Sequence, residues 1–306
     1  TLRNSSAASD VYKRQEKRHS TGDTNMGPAD LAVLASNKLF EKIGMDKNEV
    51  DFVVFATSTP DYYVPGSGAL FQEKMGLENI GVLDIRQGCS GFTYALSVAD
   101  KFIKTETYSK ILVIGAEVQT TQLDFDNDGR GTAVLFGDGA AACLLTSTDS
   151  DKGILSAHLH SDGKFIDVLS SSHPSSKYKD IISEDNIKKR QHHIHMNGRE
   201  VFKHAVRRFK EVILEGLEYN DLTIDDVDMV IPHQANYRIT QTVQKQLGVS
   251  EDKAFSNVHN YGNTTAASIG IALTEALEQN KIKKGDIVVL ASFGAGFQWG
   301  SVVIKW

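Results

Sequence analysis

The chain has 306 residues, 41% hydrophobic and 24% charged, with a net charge of −6. That suffices for one large core or two ordinary ones, and an acidic balance argues against a nucleic-acid partner, which needs a basic face. No stretch approaches about eighteen unbroken apolar residues and no apolar leader opens the chain, so neither a membrane span nor a secretory signal is expected. With only Cys89 and Cys143, a disulfide framework is excluded and a reducing cytoplasm is the expected location.

Thr1–Ser9 is small, polar and without period. Asp10-Val-Tyr-Lys-Arg-Gln15 is also the translation of a sequencing-library transposon end, so residues 1–15 are expected to be an adaptor-derived tail and native sequence to begin near Glu16. A natural tail is the other reading. Pro28-Ala-Asp30 opens an apolar-periodic helix running to about Ile43, with Gly44 as its C-cap. Asp51–Thr57 and Lys110–Gly115 read as buried strands. After Cys89, Phe92, Leu96, Ala99, Phe102 and Ile103 recur at helical spacing, which puts the cysteine where a strand gives way to a helix. Such alternation predicts a layered α/β fold.

The chain also resembles itself. Glu49–Val54 matches Asp226–Ile231 at an offset of 177 (228 − 51), Lys74–Leu77 matches Gln246–Val249 at 172, and Lys110–Ile114 matches Asp286–Leu290 at 176. This predicts a duplicated α/β unit: an N-terminal half over 16–150, a polar insertion or connection over 151–195, and a C-terminal half over 196–306. Cys89 and Asn263 stand 174 apart (263 − 89), each after a glycine and before a helical run. Two equivalent helix starts facing a pseudo-twofold axis would share one pocket.

Cys89, in Gly88-Cys-Ser-Gly91, is the candidate nucleophile, because a helix N-terminus favours thiolate. Taken alone, a free cysteine before an apolar helix is more often a buried hydrophobe, the reading given to Cys143 in its apolar run. His233 follows Pro232 at a strand end, where α/β folds build their sites. Asn263 could be an N-cap, but a Cys, His and Asn together supply nucleophile, acid/base and hydrogen-bond donor. Asp124–Gly129 opens like a calcium loop, yet its twelfth position is Leu135 rather than Glu, so no calcium is expected. His192, His193 and His195 lie in the polar insertion without further ligands at zinc spacing, and no metal is expected there.

Five strings, in order, carry a resemblance: Gly88-Cys-Ser-Gly-Phe-Thr-Tyr-Ala-Leu96, Phe136-Gly-Asp-Gly-Ala140, Pro232-His-Gln-Ala-Asn236, Tyr261-Gly-Asn-Thr264 and Phe293-Gly-Ala-Gly-Phe-Gln-Trp-Gly300. From about Glu16 to Trp306 the chain resembles the β-ketoacyl-acyl carrier protein synthase III family. The resemblance implies a five-layered α-β-α-β-α thiolase fold, a homodimer, no cofactor, and acyl-CoA and malonyl-acyl carrier protein as substrates. Cys89, His233 and Asn263 would be catalytic, with the amides of Cys89 and Ala295 holding the oxyanion. Arg130, Phe293 and Asn236 would line the substrate path, and Val64 would stand where relatives close the acyl pocket across the dimer, leaving room for a longer or branched primer. The family's first strand and adenine-gripping loop are missing from this chain, which leaves an inactive fragment as one alternative. A non-catalytic partner subunit is another, and an acyltransferase serving a hydroxyl or amine is a third. Arg199, Lys203 and Arg207 on one helix face, with Arg238, form a basic stripe suited either to an acidic carrier or to solvent.

Overall fold

Successive residues along the buried strands face two different cores, and this sets the layering. Along β1 (Phe52–Ala56), Phe52, Val54 and Ala56 join one hydrophobic cluster while Val53 and Phe55 join another. The same alternation runs along β3 (Lys110–Glu117), with Ile111 and Val113 on one side and Leu112 and Ile114 on the other. Strands buried on both faces must have a layer on each. The computed structural model describes residues 19–21 and 24–306, so the expected tail over 1–15 lies outside the described residues.

In the first half, α1 (Pro28–Ile43) and α2 (Ser67–Met75) cover the outer face of a sheet ordered β2-β1-β3-β4, where β2 is Gly81–Ile85 and β4 is Gly139–Thr146. Pro28 occupies the first turn of α1, and Gly44 ends it in the left-handed conformation (φ 64°) that glycine accepts without strain. The second sheet runs β5-β10-β9-β8, from Gly153–Ser161, Gln298–Lys305, Ile287–Gly294 and Met229–Pro232. Its outer face is covered by α4 (Gly198–Tyr219) and α5 (Tyr237–Leu247). Between the sheets lie α3 (Gly91–Lys104) and α6 (Ser268–Glu278), whose Phe92, Ala95, Ile269 and Ala272 share one core with both sheets. The result is five layers, α-β-α-β-α.

The duplication is visible in the strand register. Phe52 pairs with Ile111 in one sheet and Met229 with Val288 in the other, each displaced by 177 residues (229 − 52 and 288 − 111). The counterpart of Lys110 is therefore Ile287, one residue beyond the match read from sequence. The stretch 151–195 is not all connection, which corrects the expected boundaries. β5 pairs along its length with β10 and belongs to the second sheet. Its polar residues (Ser156, His158, His160) misled the sequence reading because β5 is the edge of that sheet. The remainder includes a two-stranded ribbon, β6 (Leu169–Ser170) with β7 (His195–Met196).

Candidate active site

Cys89 lies in a 3-10 turn, Gly88–Ser90, that leads directly into α3. Gly88 has φ 50°, a conformation that favours glycine. Ser90 Oγ donates to the Gln298 carbonyl at 2.9 Å, tying this turn to β10. From the other sheet, Gly294 approaches so closely that a Cβ there would lie 2.8 Å from the Cys89 Cβ. Only the bare glycine backbone fits beside Cys89.

His233 follows β8, its N–H donating to the Ala291 carbonyl of β9 at 2.7 Å. The neighbouring Gln234 side chain donates to the carbonyls of Pro232 and Phe255 and accepts from the Asn257 N–H, which fixes the turn that carries the imidazole. Ser268 Oγ accepts from the Gln234 N–H and stands 2.5 Å from His233 Nδ1. Where the hydroxyl donates to Nδ1, the neutral ring carries its proton on Nε2. His233 Nε2 is buried and has no protein partner. Asn263 is held by its backbone, N–H to the Leu135 carbonyl and C=O to the Gly137 N–H. Its Oδ1 accepts from the Thr265 N–H at 2.9 Å, which leaves Nδ2 to donate toward the Cys89 sulfur.

Cys89, His233 and Asn263 line one chamber of about 460 Å³, together with Phe293, Asn236, Arg199 and Arg238. A second chamber of about 310 Å³ meets the first at Cys89 and holds Ala295, Gln119, Gln122 and His173, but neither His233 nor Asn263. Ala295 lies beside the turn that carries Cys89, 3.8 Å from where a Gly88 Cβ would stand.

Burial pushes the Cys89 thiol up to about 12, the Glu117 carboxyl adding to the effect while the Asn263 side chain opposes it. Desolvation thus opposes the thiolate that a helix start favours. Burial also holds His233 down near 3, so its imidazole is neutral.

The other expected residues scatter. Arg130 opens a one-turn helix, Arg130–Ala133, whose Gly131 rather than the arginine lines the first chamber. Val64 is 78% exposed and lines neither chamber of the single chain; it sits beside exposed Tyr62 and Tyr63. On α4, Arg207 pairs with Glu211 at 2.7 Å and Lys203 with Glu200 at 3.9 Å, so the basic stripe is partly neutralised. The carboxylates of the calcium-like loop, Asp124 and Asp126, hold the Arg190 guanidinium. Cys143 packs against the core between the sheets. Sequence reasoning passed over Ser268 and Glu117; the signal for Glu117 was a carboxylate closing the apolar run Ile111–Ala116.

Two family models match, the 3-oxoacyl-[acyl-carrier-protein] synthase III model over residues 83–163 and the C-terminal model of the same family over 217–306. A β-ketoacyl-[acyl-carrier-protein] synthase III of Clostridium perfringens is 40% identical over 294 residues, covering 95% of this chain and 87% of the relative. The chain belongs to this synthase III family. A synthase III of Paramagnetospirillum magneticum is 42% identical over 297 residues, covering 95% of this chain and 87% of the relative. Among solved structures, the synthase III of Thermus thermophilus superposes with a TM-score of 0.90 at 35% identity, covering 100% of this chain and 92% of that one. The priming β-ketosynthase of the R1128 polyketide pathway superposes with a TM-score of 0.83 at 28% identity, covering 94% of this chain and 84% of that one. The fold is thus the thiolase fold of the synthase III enzymes, and the chain is a condensing acyltransferase of that family.

Proposed function

We propose that this synthase III transfers an acyl group from acyl-CoA to Cys89 and condenses it with malonyl-acyl carrier protein, releasing carbon dioxide at the start of fatty acid or related polyketide synthesis. The observation that carries the reading is the buried, unpartnered His233 Nε2, which shares a chamber with the Asn263 amide and Cys89. A buried donor without a partner is costly unless a substrate oxygen completes it.

In the first step Cys89 Sγ adds to the thioester carbonyl, whose oxygen takes hydrogen bonds from the Cys89 and Ala295 amides. The C–S bond to coenzyme A breaks, and coenzyme A leaves as the thiol with the cysteine's proton. The acyl chain extends into the second chamber, because the first must admit the next thioester. In the second step the malonyl carboxylate leaves as carbon dioxide, and its bonding electrons form an enolate whose oxygen accepts from His233 Nε2–H and Asn263 Nδ2–H. A neutral imidazole suits this role, since it donates without needing a base to restore it. The enolate carbon attacks acyl-Cys89, and the cysteine departs as thiolate to be reprotonated.

Arg199 and Arg238 at the first chamber are suited to an acidic carrier protein, with Lys203 and Arg207 further along α4. The exposed Tyr62, Tyr63 and Val64 suit a homodimer in which Val64 reaches the partner's acyl chamber. No helix among the described residues is long and apolar enough to cross a membrane, and a cytoplasmic location fits the substrates.

Intact-protein mass spectrometry after mixing with acyl-CoA tests the reading. An acyl increment on the parent that disappears in Cys89→Ser, followed by malonyl-dependent release of carbon dioxide, is expected. Loading without that release would favour a hydroxyl or amine acceptor instead.

A further inference from the structure

Behind the catalytic trio lies a carboxylate that the mechanism above does not use. Glu117 ends β3 and is 0% exposed. Donors converge on it from two segments distant in sequence. The segment just after β1 supplies the Ser58 N–H at 3.1 Å to either oxygen, the Ser58 hydroxyl at 2.9 and 3.0 Å, and the hydroxyls of Thr57 at 3.3 Å and Thr59 at 2.7 Å. The other half of the molecule supplies the Ala266 N–H, at 3.4 Å from Oε1. Around the carboxyl, Cys89 is the titratable neighbour that feels it.

The segment that Glu117 grips is strained. Thr265, between Asn263 and Ala266, has φ 44°, a left-handed conformation unfavourable for a β-branched residue. Such a residue persists only when its surroundings over-determine it. Part of that constraint comes from two residues earlier on the same strand face: a Cβ at Gly115 would lie 2.6 Å from the Ala266 carbonyl oxygen, so the turn presses against bare β3 backbone. The Thr265 N–H is in turn the donor that fixes Asn263 Oδ1 and so turns Nδ2 toward Cys89.

We propose that Glu117 is a positioning residue for condensation: by accepting from Ala266 across the interface of the two halves, it holds the strained Thr265 turn and so aims the Asn263 amide. The inference rests on the role given to Asn263 above. Burial pushes the Glu117 carboxyl above the ordinary range, so the role requires an oxygen acceptor rather than a full charge. Glutamine can supply that acceptor, since its carbonyl can face the two backbone N–H groups while the threonine hydroxyls turn to accept from its amide.

The experiment compares Glu117→Leu and Glu117→Gln with the parent in acyl loading of Cys89, malonyl-dependent condensation, and hydrogen exchange at residues 264–266. Glu117→Leu should lower condensation about a hundredfold, as misaimed catalytic groups do, while loading stays within about threefold. Exchange at the Thr265 and Ala266 amides should rise. Glu117→Gln should restore condensation to within about fivefold of the parent and leave exchange unchanged. Should Glu117→Leu not fold, Thr59→Val removes the shortest hydroxyl contact and should show the same split at smaller size. Equal condensation in the Leu and Gln variants, or a parallel fall in loading and condensation, overturns the proposal. A parent that loads but never condenses would instead sink the proposed reaction, and the exchange measurement would still report on the turn.

Discussion

The ends of β3 and β9 are equivalent positions in a duplicated fold, yet they carry opposite residues. Glu117 and Gly294 are displaced by the same 177 residues (294 − 117) that relate the paired strands, and each closes its strand's pairing in its own sheet. Each reaches across to the other half. Gly294 makes room for Cys89, and Glu117 binds the turn that carries Asn263. One position works by having no side chain, the other by filling its space with an acceptor. The duplicated geometry thus serves two different neighbours, a cysteine at one helix start and an asparagine at the other.

The largest break in this comparison should come from the acceptor side of the chemistry. His233→Ala or Asn263→Ala is expected to lower malonyl-dependent condensation by about 10²–10³, the range for loss of one transition-state donor, with loading of Cys89 near that of the parent. Equal losses in both steps, measured by single-turnover mass spectrometry, would remove the division of labour. Next come the two close approaches. Gly294→Ala and Gly115→Ala should each cost about 1–3 kcal/mol of stability through overpacking, read from thermal or denaturant unfolding. The first should slow loading and the second condensation, because their added methyl groups meet Cys89 and Ala266 respectively.

Acid separates the halves more gently. Burial lowers His233 from 6.5 to about 3, so between those values the unfolded chain binds a proton that the folded chain refuses. That contribution to stability is complete above about pH 6.5 and is lost as pH falls toward 3. His233→Gln should flatten the dependence of unfolding temperature on pH across this window. The smallest effect is expected at the surface: Arg199→Glu with Arg238→Glu should raise KM for the carrier substrate several-fold and leave acyl-CoA loading alone. Lys203→Glu with Arg207→Glu should do less, because glutamates already hold those cations. A larger effect from the second pair would move the carrier's footprint along α4.

Much of this was legible in the sequence because the chemistry sits in short strings at element boundaries. His233 and Asn263 each follow a residue that ends a strand or turn, Cys89 lies in the turn that opens α3, and the helix starts could be placed from apolar periodicity. The supporting residues were not legible for a physical reason. The donors to Glu117 lie 58 to 60 residues before it and 149 after it, and only the folded register brings them together. Burial likewise acts on Cys89 against the thiolate that its helix start favours, and the short string around the cysteine does not reveal that burial. The edge strand β5 hid for the converse reason: its polar residues look like connection until the sheet claims their backbone.

The middle layer has a consequence for how the chain can be divided. Because α3 and α6 bury their apolar faces in one core shared by both sheets, neither half owns a complete interior. Expressed alone, each would present that face to water and would be prone to self-association rather than independent folding. A cut through the exposed residues 176–182, by contrast, severs no strand or helix of either sheet layer, so the two pieces would stay clasped as a noncovalent whole. The molecule is two repeats by descent and one cooperative unit by packing.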